Sequence, residues 1–303
     1  MAESPDAGSC PDGSDRPDEA RSDGARLGGA ADEEVRSTRV DIVTLFPEMF
    51  PGVFSSSIPR IAQERGRLTV NTVNLRDFAP DRRGTVDDRP FGGGAGMVLM
   101  CGPVFDAVAA IEAGMAARRD PAPLRVLFSP QGHRLDQPLV EALAAEPALL
   151  LLCGHYEGFD ERIRTGLRPL EISVGDYVLS GGELPAMTLV DAIARLQPGV
   201  VGDPQSVEDD SFSNQGRLLE YPHYTRPREF RGMTVPDVLL SGHHGKVEEW
   251  RRAEAIARTR ERRPELLDEA DANRQDNQGE RSPADILNRA RAAQDKTRTA
   301  PLA

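Results

Sequence analysis

The chain has 303 residues, of which 39% are hydrophobic, and this is enough for a substantial folded core. It has no apolar run of about 18 residues or more, and no basic segment followed by an apolar one at the N-terminus. These absences exclude the usual patterns of a membrane span and a secretory signal. Its three cysteines form no CxxC pair and its five histidines have no metal-ligand spacing. We therefore expect neither disulfides nor structural zinc, and we expect a cytoplasmic protein.

The net charge of −12 is unevenly distributed. Residues 1–36 carry ten acidic and four basic side chains, which is half of the net charge. This segment has almost no large apolar residue, so burial cannot offset the entropy lost on ordering. We expect residues 1–36 to be a disordered acidic tail. The acidic total therefore does not argue against a nucleic-acid partner for the remainder of the chain.

The first half of the chain alternates strand and helix patterns. Strands are predicted at residues 40–45, 68–75, 124–128 and 149–152, and helices at 103–117 and 136–145, with a further helical stretch after the first strand. Residues 81–97 are dense in charge and glycine, which is typical of a long functional loop, although a flexible solvated loop has the same composition. The alternation predicts an α/β fold with a mostly parallel sheet, in which ligands bind at the carboxyl ends of the strands.

Three glycine-bearing loops follow strand ends, at residues 129–132, 154–158 and 174–182. In the last of them, Gly175, Gly181 and Gly182 are expected to take positive φ and to let the backbone approach a ligand closely. A simple strand-to-helix connection would also use glycine. A helix follows from Pro185, and its apolar residues recur with helical spacing up to Pro198, so one face belongs to the core.

The apolar pattern ends after Gly202. Residues 203–216 are interpreted as an interdomain linker, and residues 217–270 as a second, helical region. Within it, a helix is predicted over residues 245–263, and residues 250–263 hold six arginines against two glutamates. This favours an RNA-binding patch, although a solvated helix face with i to i+4 pairs is the alternative. Residues 271–303 are polar and are predicted to be largely disordered, with a helical pattern at 283–293.

Several sequence blocks carry a resemblance to a known family. TLFPEMF, TVDDRPFGGGAGM, GDYVLSGGELPAMTL, EDDSF and PHYTRP occur in this order within residues 37–268. Together they resemble the bacterial tRNA (guanine-N1)-methyltransferases, the TrmD family of the SPOUT superfamily. The resemblance implies a SPOUT methyltransferase domain at 37–202 with a C-terminal trefoil knot. It also implies a linker with the catalytic aspartate at 203–216 and a small helical tRNA-binding domain at 217–270.

The resemblance also implies an activity. These enzymes use S-adenosylmethionine to methylate N1 of the guanosine immediately 3′ of the anticodon, tRNA position thirty-seven. The implied cofactor pocket comprises Ser129, Pro130, Gln131, Gly154, Tyr156, Glu157, Val174, Gly175, Asp176, Tyr177, Val178, Leu179, Gly181, Gly182 and Pro185. Mg²⁺ is implied as well, but no acidic triplet in the sequence identifies a metal site. His155 departs from the family, in which arginine is frequent, and this puts one peripheral contact in doubt.

The resemblance assigns two catalytic roles. Guanine N1 carries a proton that must be removed, and the implied general base is Asp210, while Arg195 would stabilise the negative charge that grows on O6. An aspartate alone is a weak base, so the guanidinium is needed. Without the family motif, Arg195 could simply pair with Asp191, and the linker carboxylates could simply be solvated.

The resemblance further implies a homodimer with active sites shared between chains. One alternative is a SPOUT protein that binds S-adenosylmethionine or RNA without catalysis, but such a protein has no reason to keep Asp210 and Arg195. A SPOUT enzyme acting on ribose 2′-OH or on rRNA is disfavoured by the EDDSF linker and the C-terminal region.

Overall fold

The computed structural model describes residues 37–202, 210–213, 217–267 and 282–298. The predicted acidic tail and most of the predicted linker lie outside the described residues.

A five-stranded parallel sheet forms the centre of the fold, in the order β2-β1-β6-β5-β7. Its strands are β1 Thr38–Thr44, β2 Leu68–Asn74, β5 Leu124–Arg134, β6 Ala148–Leu152 and β7 Leu170–Ser173. Two short antiparallel pairs lie outside it, β3 Asp87–Asp88 with β4 Val98–Leu99 and β8 Glu229–Phe230 with β9 Met233–Thr234. The predicted mostly parallel α/β fold is confirmed. The trefoil knot stays a prediction.

The helices largely follow the predicted positions. They are α1 Pro51–Phe54, α2 Ser57–Glu64, α3 Cys101–Arg118, α4 Gln137–Ala144, α5 Glu161–Leu167, α6 Glu183–Leu196, α7 His244–Arg262 and α8 Pro283–Arg298. The sequence did not predict α5, because its seven residues bury only Ile163 and Leu167 and so give little periodicity. No helix in the described ranges is long and apolar enough to cross a membrane.

Side chains of the sheet alternate between two cores. In β6, Leu149 and Leu151 face one hydrophobic cluster, which includes residues of α2, α4 and α6, and Leu150 and Leu152 face the other, which includes residues of α3 and α5. Successive side chains of a strand point to opposite faces, so a strand covered by helices on both sides is apolar throughout. This explains why the ALLLL segment of β6 is completely buried.

Strand β5 differs from its prediction. It continues to Arg134, and residues 129–132, which were predicted to be a loop after the strand, lie inside it. Both Phe128 and His133 pair with Ile172 of β7, so the four residues between them leave the ladder as an irregular excursion. The segment still acts as a loop, but it is fixed to β7 on both sides.

In the C-terminal region, the predicted helix at 283–293 is confirmed as α8, which extends further, over Pro283–Arg298, and packs on the sheet domain. The rest of residues 271–303, apart from Ser282, lies outside the described residues. Leu287 is 5% exposed and Gln294 is fully buried. The sequence of α8 is mostly polar because only a few of its residues are buried.

Candidate functional site

A cavity of about 310 Å³ lies where β5, β6 and β7 end. All three glycine-bearing loops line it, as expected for the carboxyl ends of parallel strands. Every residue of the predicted cofactor pocket lines this cavity except Asp176, which is exposed to solvent beside it.

The sequence prediction omitted eight residues of the cavity wall. They are Phe128, His155, Gly158, Phe159, Arg164, Ile172, Ser173 and Ser180. Two of them directly precede a loop segment, Phe128 before the β5 excursion and Ser173 at the end of β7, so the strand boundaries themselves contained this signal. Arg164 comes from α5, the helix that the sequence did not reveal, and its Nε donates to Glu171 Oε2 at 3.0 Å.

Backbone hydrogen bonds join the loops to one another. The Gly182 N–H donates to the Gly154 carbonyl at 2.8 Å, and His155 pairs with Gly181 in an isolated antiparallel bridge. The Leu135 N–H donates to the Ser173 carbonyl at 2.8 Å, which fixes the end of the β5 excursion to β7. The cavity is therefore held by backbone contacts before any ligand is bound.

Gly182 is required by packing rather than by its dihedral angles. Its φ is −83°, whereas positive φ was predicted. A Cβ at this position would stand 2.7 Å from Cys153 Cα and 2.9 Å from the Gly154 nitrogen. Gly181 likewise has no positive φ, and only Gly175, at 149°, behaves as predicted. The glycine at position 182 therefore permits a close approach of the protein's own backbone, and not the predicted close approach to a ligand.

Gly182→Ala is expected to lower the free energy of unfolding by about 1–3 kcal/mol, because the new methyl group forces neighbouring backbone apart. Urea denaturation measures this. Gly52→Ala is the control, since a Cβ at Gly52 meets nothing within 4 Å. Equal stability of the Gly182 variant and wild type would contradict the packing argument.

Glu183, the first residue of α6, is a buried carboxylate that the sequence prediction left out. It is 3% exposed and its Oε1 accepts a hydrogen bond from Thr44 Oγ1 at 2.8 Å. Thr44 Oγ1 in turn accepts from the Phe46 N–H at 3.0 Å. The end of β1 is thus tied to the start of α6 beside the cavity. Burial and this carboxylate raise the pKa of the Cys153 thiol well above its ordinary value, so Cys153 is a neutral core residue.

The charged loop at residues 81–97 ends against the cavity wall. The Glu157 N–H donates to the Met97 carbonyl at 3.0 Å, and the Leu99 N–H donates to the Gly158 carbonyl at 2.9 Å. Phe91 is fully exposed within this loop. The predicted functional loop is therefore attached to the cavity wall at its C-terminal end.

Arg195 and Asp210 form an ion pair through Arg195 Nη2 and Asp210 Oδ2. Arg195 lies in the last turn of α6, and its side chain is 42% exposed, against 32% for Asp210. The arginine pairs with the linker aspartate and not with Asp191 one turn earlier. The two residues that sequence analysis selected, 15 positions apart, are therefore brought together.

The cavity and this ion pair lie at opposite ends of α6. Pro185 lines the cavity near the helix start, and Arg195 follows ten residues later. At 1.5 Å per residue, this separates them by about 15 Å along the helix axis. A reaction requires the reacting atoms at about 3–3.5 Å. Within one chain, the two halves of the predicted site are therefore separated by most of the length of α6.

The region at residues 217–267 presents aromatic and basic side chains together. The Arg251 guanidinium lies 4.7 Å from the centroid of the Tyr221 ring, and the rings of Tyr224 and Trp250 are 6.3 Å apart. Arg258 is used internally, since its Nη1 donates to the Glu220 carbonyl at 3.2 Å. Stacked arginine and aromatic groups suit single-stranded bases and phosphates.

No cluster of three or more His, Cys, Asp or Glu side chains is placed to hold a metal ion within the part of the chain that the structure describes. The described residues therefore offer no dedicated all-protein cage for the Mg²⁺ that the resemblance implies.

Comparison with known proteins identifies close relatives. The family profile described as "tRNA (Guanine-1)-methyltransferase TrmD" matches residues 38–269. A tRNA (guanine-N(1)-)-methyltransferase of Pelotomaculum thermopropionicum is 55% identical over 78% of this chain and 93% of its own length. One of Geobacillus kaustophilus is 55% identical over 76% and 92%. The crystal structure of tRNA (m1G37) methyltransferase from Aquifex aeolicus aligns with a TM-score of 0.61 and 35% identity, over 80% of this chain and all of that one.

Proposed function

Because the chain belongs to the TrmD family of tRNA (guanine-N1)-methyltransferases, we propose that it methylates N1 of the guanosine immediately 3′ of the anticodon in tRNA. It is then a transferase that uses S-adenosylmethionine as the methyl donor. The observation that carries the proposal is the pairing of Arg195 with Asp210 beside a helix whose other end forms a three-loop cavity.

The cavity fits an adenosine-containing donor. Its volume of about 310 Å³ is within the usual range for small-molecule sites, and its walls combine apolar side chains such as Phe128 and Ile172 with loop backbone. Backbone N–H and C=O groups of the three loops can bind a purine edge without any charged partner. When bound, S-adenosylmethionine supplies an electrophilic methyl group on a sulfonium sulfur.

The Arg195–Asp210 pair matches one edge of guanine. N1–H is a donor and the adjacent O6 is an acceptor, while a carboxylate accepts and a guanidinium donates. A bound guanine can therefore replace the direct ion pair by two charge-assisted hydrogen bonds. Asp210 then takes the N1 proton as N1 gains the methyl group, and Arg195 stabilises the charge that grows on O6.

We further propose a homodimer in which the cavity of one chain meets the ion pair of the other. The separation of about 15 Å along α6 supports this, because neither half reaches the other within one chain. The outer face of α6 also exposes Leu184, Thr188 and Asp191 as one stripe, and Leu184 is 52% exposed. At the cavity mouth, Val178 is 86% exposed and Tyr177 is 58% exposed. Exposed apolar groups of this kind mark interaction surfaces.

The region at residues 217–267 would hold the tRNA. Arg251→Ala is expected to weaken tRNA binding and to reduce the salt dependence of log K by about 1, since one phosphate contact is lost. Filter binding at several salt concentrations measures both quantities. Arg60→Ala removes the same charge from α2, where Arg60 pairs with Glu64, and serves as the control. Identical salt dependence for wild type and Arg251→Ala would remove this residue from the interface.

Incubation with labelled S-adenosylmethionine and tRNA transcripts that differ only in the guanosine after the anticodon tests the proposed activity. Label is expected only in the transcript with guanosine at that position. Donor binding without label in either transcript would favour a binding protein without catalysis. Label in both transcripts would place the methyl group elsewhere in the RNA.

A further inference from the structure

Helix α8 lies outside residues 38–269, the range matched by the family profile, but it is built into the sheet domain. Leu287 belongs to the same buried cluster as Val126 of β5. Arg291 also forms an ion pair with Glu146, next to the start of β6. The helix is therefore part of the layer that covers one face of the sheet.

Gln294 of α8 completes the hydrogen bonding of β5. The Arg125 N–H donates to Gln294 Oε1 at 2.9 Å, and Gln294 Nε2 donates to the Arg125 carbonyl at 3.0 Å. Arg125 directly precedes Val126, the first β5 residue that pairs with β7. The side-chain amide thus takes the place of a strand residue where β7 has not yet begun. Both groups would otherwise be buried without partners.

The Arg125 side chain also binds the C-terminal half of α8, where Gln294 lies. Its Nε and Nη2 donate to Glu112 at 2.8 and 2.7 Å, and its Nη1 donates to Thr297 Oγ1 at 2.9 Å. Arg298 reaches the same Glu112 at 3.1 Å. Each nitrogen of the buried guanidinium is therefore hydrogen-bonded, and its charge is paired with the Glu112 carboxylate. The C-terminal half of α8 is fixed to the start of β5.

The N-terminal half of α8 and the β5 excursion line a common cavity. Ile286, Arg289 and Ala290 line a second cavity of about 450 Å³, whose opposite wall includes Gln131, Gly132 and His133. Gln131 lines both this cavity and the cofactor cavity. The excursion therefore forms a partition, with the donor site on one side and α8 on the other.

We propose that α8 is a positioning element for the methyl donor, and that Gln294 is the positioning residue that sets its place on β5. Gln294 and Ile286 are eight residues apart, about 12 Å along α8, and Arg125 and Phe128 are three residues apart, about 10 Å along β5, so one rigid helix reaches from Arg125 to the excursion. Anchoring at Gln294 therefore sets where Ile286 and Ala290 lie in the wall of the second cavity, which Gln131 of the excursion also lines. The identity of the ligand rests on the proposed function.

The test is donor affinity of full-length Gln294→Ala, measured by titration calorimetry with S-adenosylmethionine alone, well below the melting temperature of each variant. We expect its Kd for S-adenosylmethionine to rise by about threefold to thirtyfold, which is the usual range for residues that affect a binding site without contacting the ligand. The rate at saturating donor is expected to stay close to wild type. Asn288→Ala, on the exposed face of the same helix, is expected to leave both unchanged.

Ile286→Ala provides an independent variant, because it acts at the opposite end of α8 and leaves the Gln294 contacts in place. A raised donor Kd is expected here as well, and this variant decides the question if Gln294→Ala does not fold. An unchanged donor Kd together with a lowered melting temperature would overturn the proposal and leave α8 as a stabilising element only. Failure of the wild-type protein to bind the donor would instead contradict the proposed function.

Discussion

Asp210→Asn is expected to lower methyl transfer by about 10²- to 10⁴-fold, the usual contribution of a general base. Asparagine has nearly the same shape but cannot take the N1 proton. Single-turnover transfer of labelled methyl groups to tRNA measures the loss. Donor binding should stay close to wild type, because the proposed partner of Asp210 is guanine N1 and the donor cavity is lined by other residues.

Asp106→Asn is the matched control for this experiment. Asp106 is an exposed carboxylate on α3, so the same chemical change is made without touching the proposed base or the exposed stripe of α6. We expect wild-type transfer from this variant. Near-normal transfer by Asp210→Asn would exclude Asp210 as the base.

Mixing two inactive variants is expected to restore about a quarter of wild-type activity if the sites are shared between chains. One variant is Asp210→Asn, and the other blocks the cavity with Ser180→Trp. Ser180 lines the cavity and is exposed, so a tryptophan there is expected to occupy cavity space without displacing buried backbone. In a mixed dimer, one site then carries both lesions and the other carries neither. Random mixing makes half of the dimers mixed, each with one intact site of two.

The mixing experiment needs two checks. Each variant alone must be folded and inactive, and subunit exchange must be verified by native mass spectrometry. If exchange occurs and activity does not return, the cavity and the base belong to the same chain, and the separation along α6 must be closed by a movement of the linker.

The sequence determined most strands and helices, because the hydrophobic periodicity of each element is contained in its own few residues. Strand β6 is apolar at every position, and its burial from both faces follows directly from that pattern. The loops at 129–132, 154–158 and 174–182 could be placed at the same edge of the sheet because parallel strands bring their carboxyl ends together. Family motifs selected Arg195 and Asp210 as partners in one site, and the structure places them in contact.

Only the tertiary structure decided how distant segments meet. Gly182 lies against the backbone of Cys153, a contact between residues that share no sequence pattern. Helix α8 has a polar sequence because its burial rests on a few residues, and Gln294 satisfies the backbone of Arg125 from 169 positions away. The excursion in β5 depends on its pairing with β7, and the length of α6 separates the cavity from the Arg195–Asp210 pair. Hydrophobic periodicity indicates whether a residue is buried, but it does not indicate which part of the chain covers that residue.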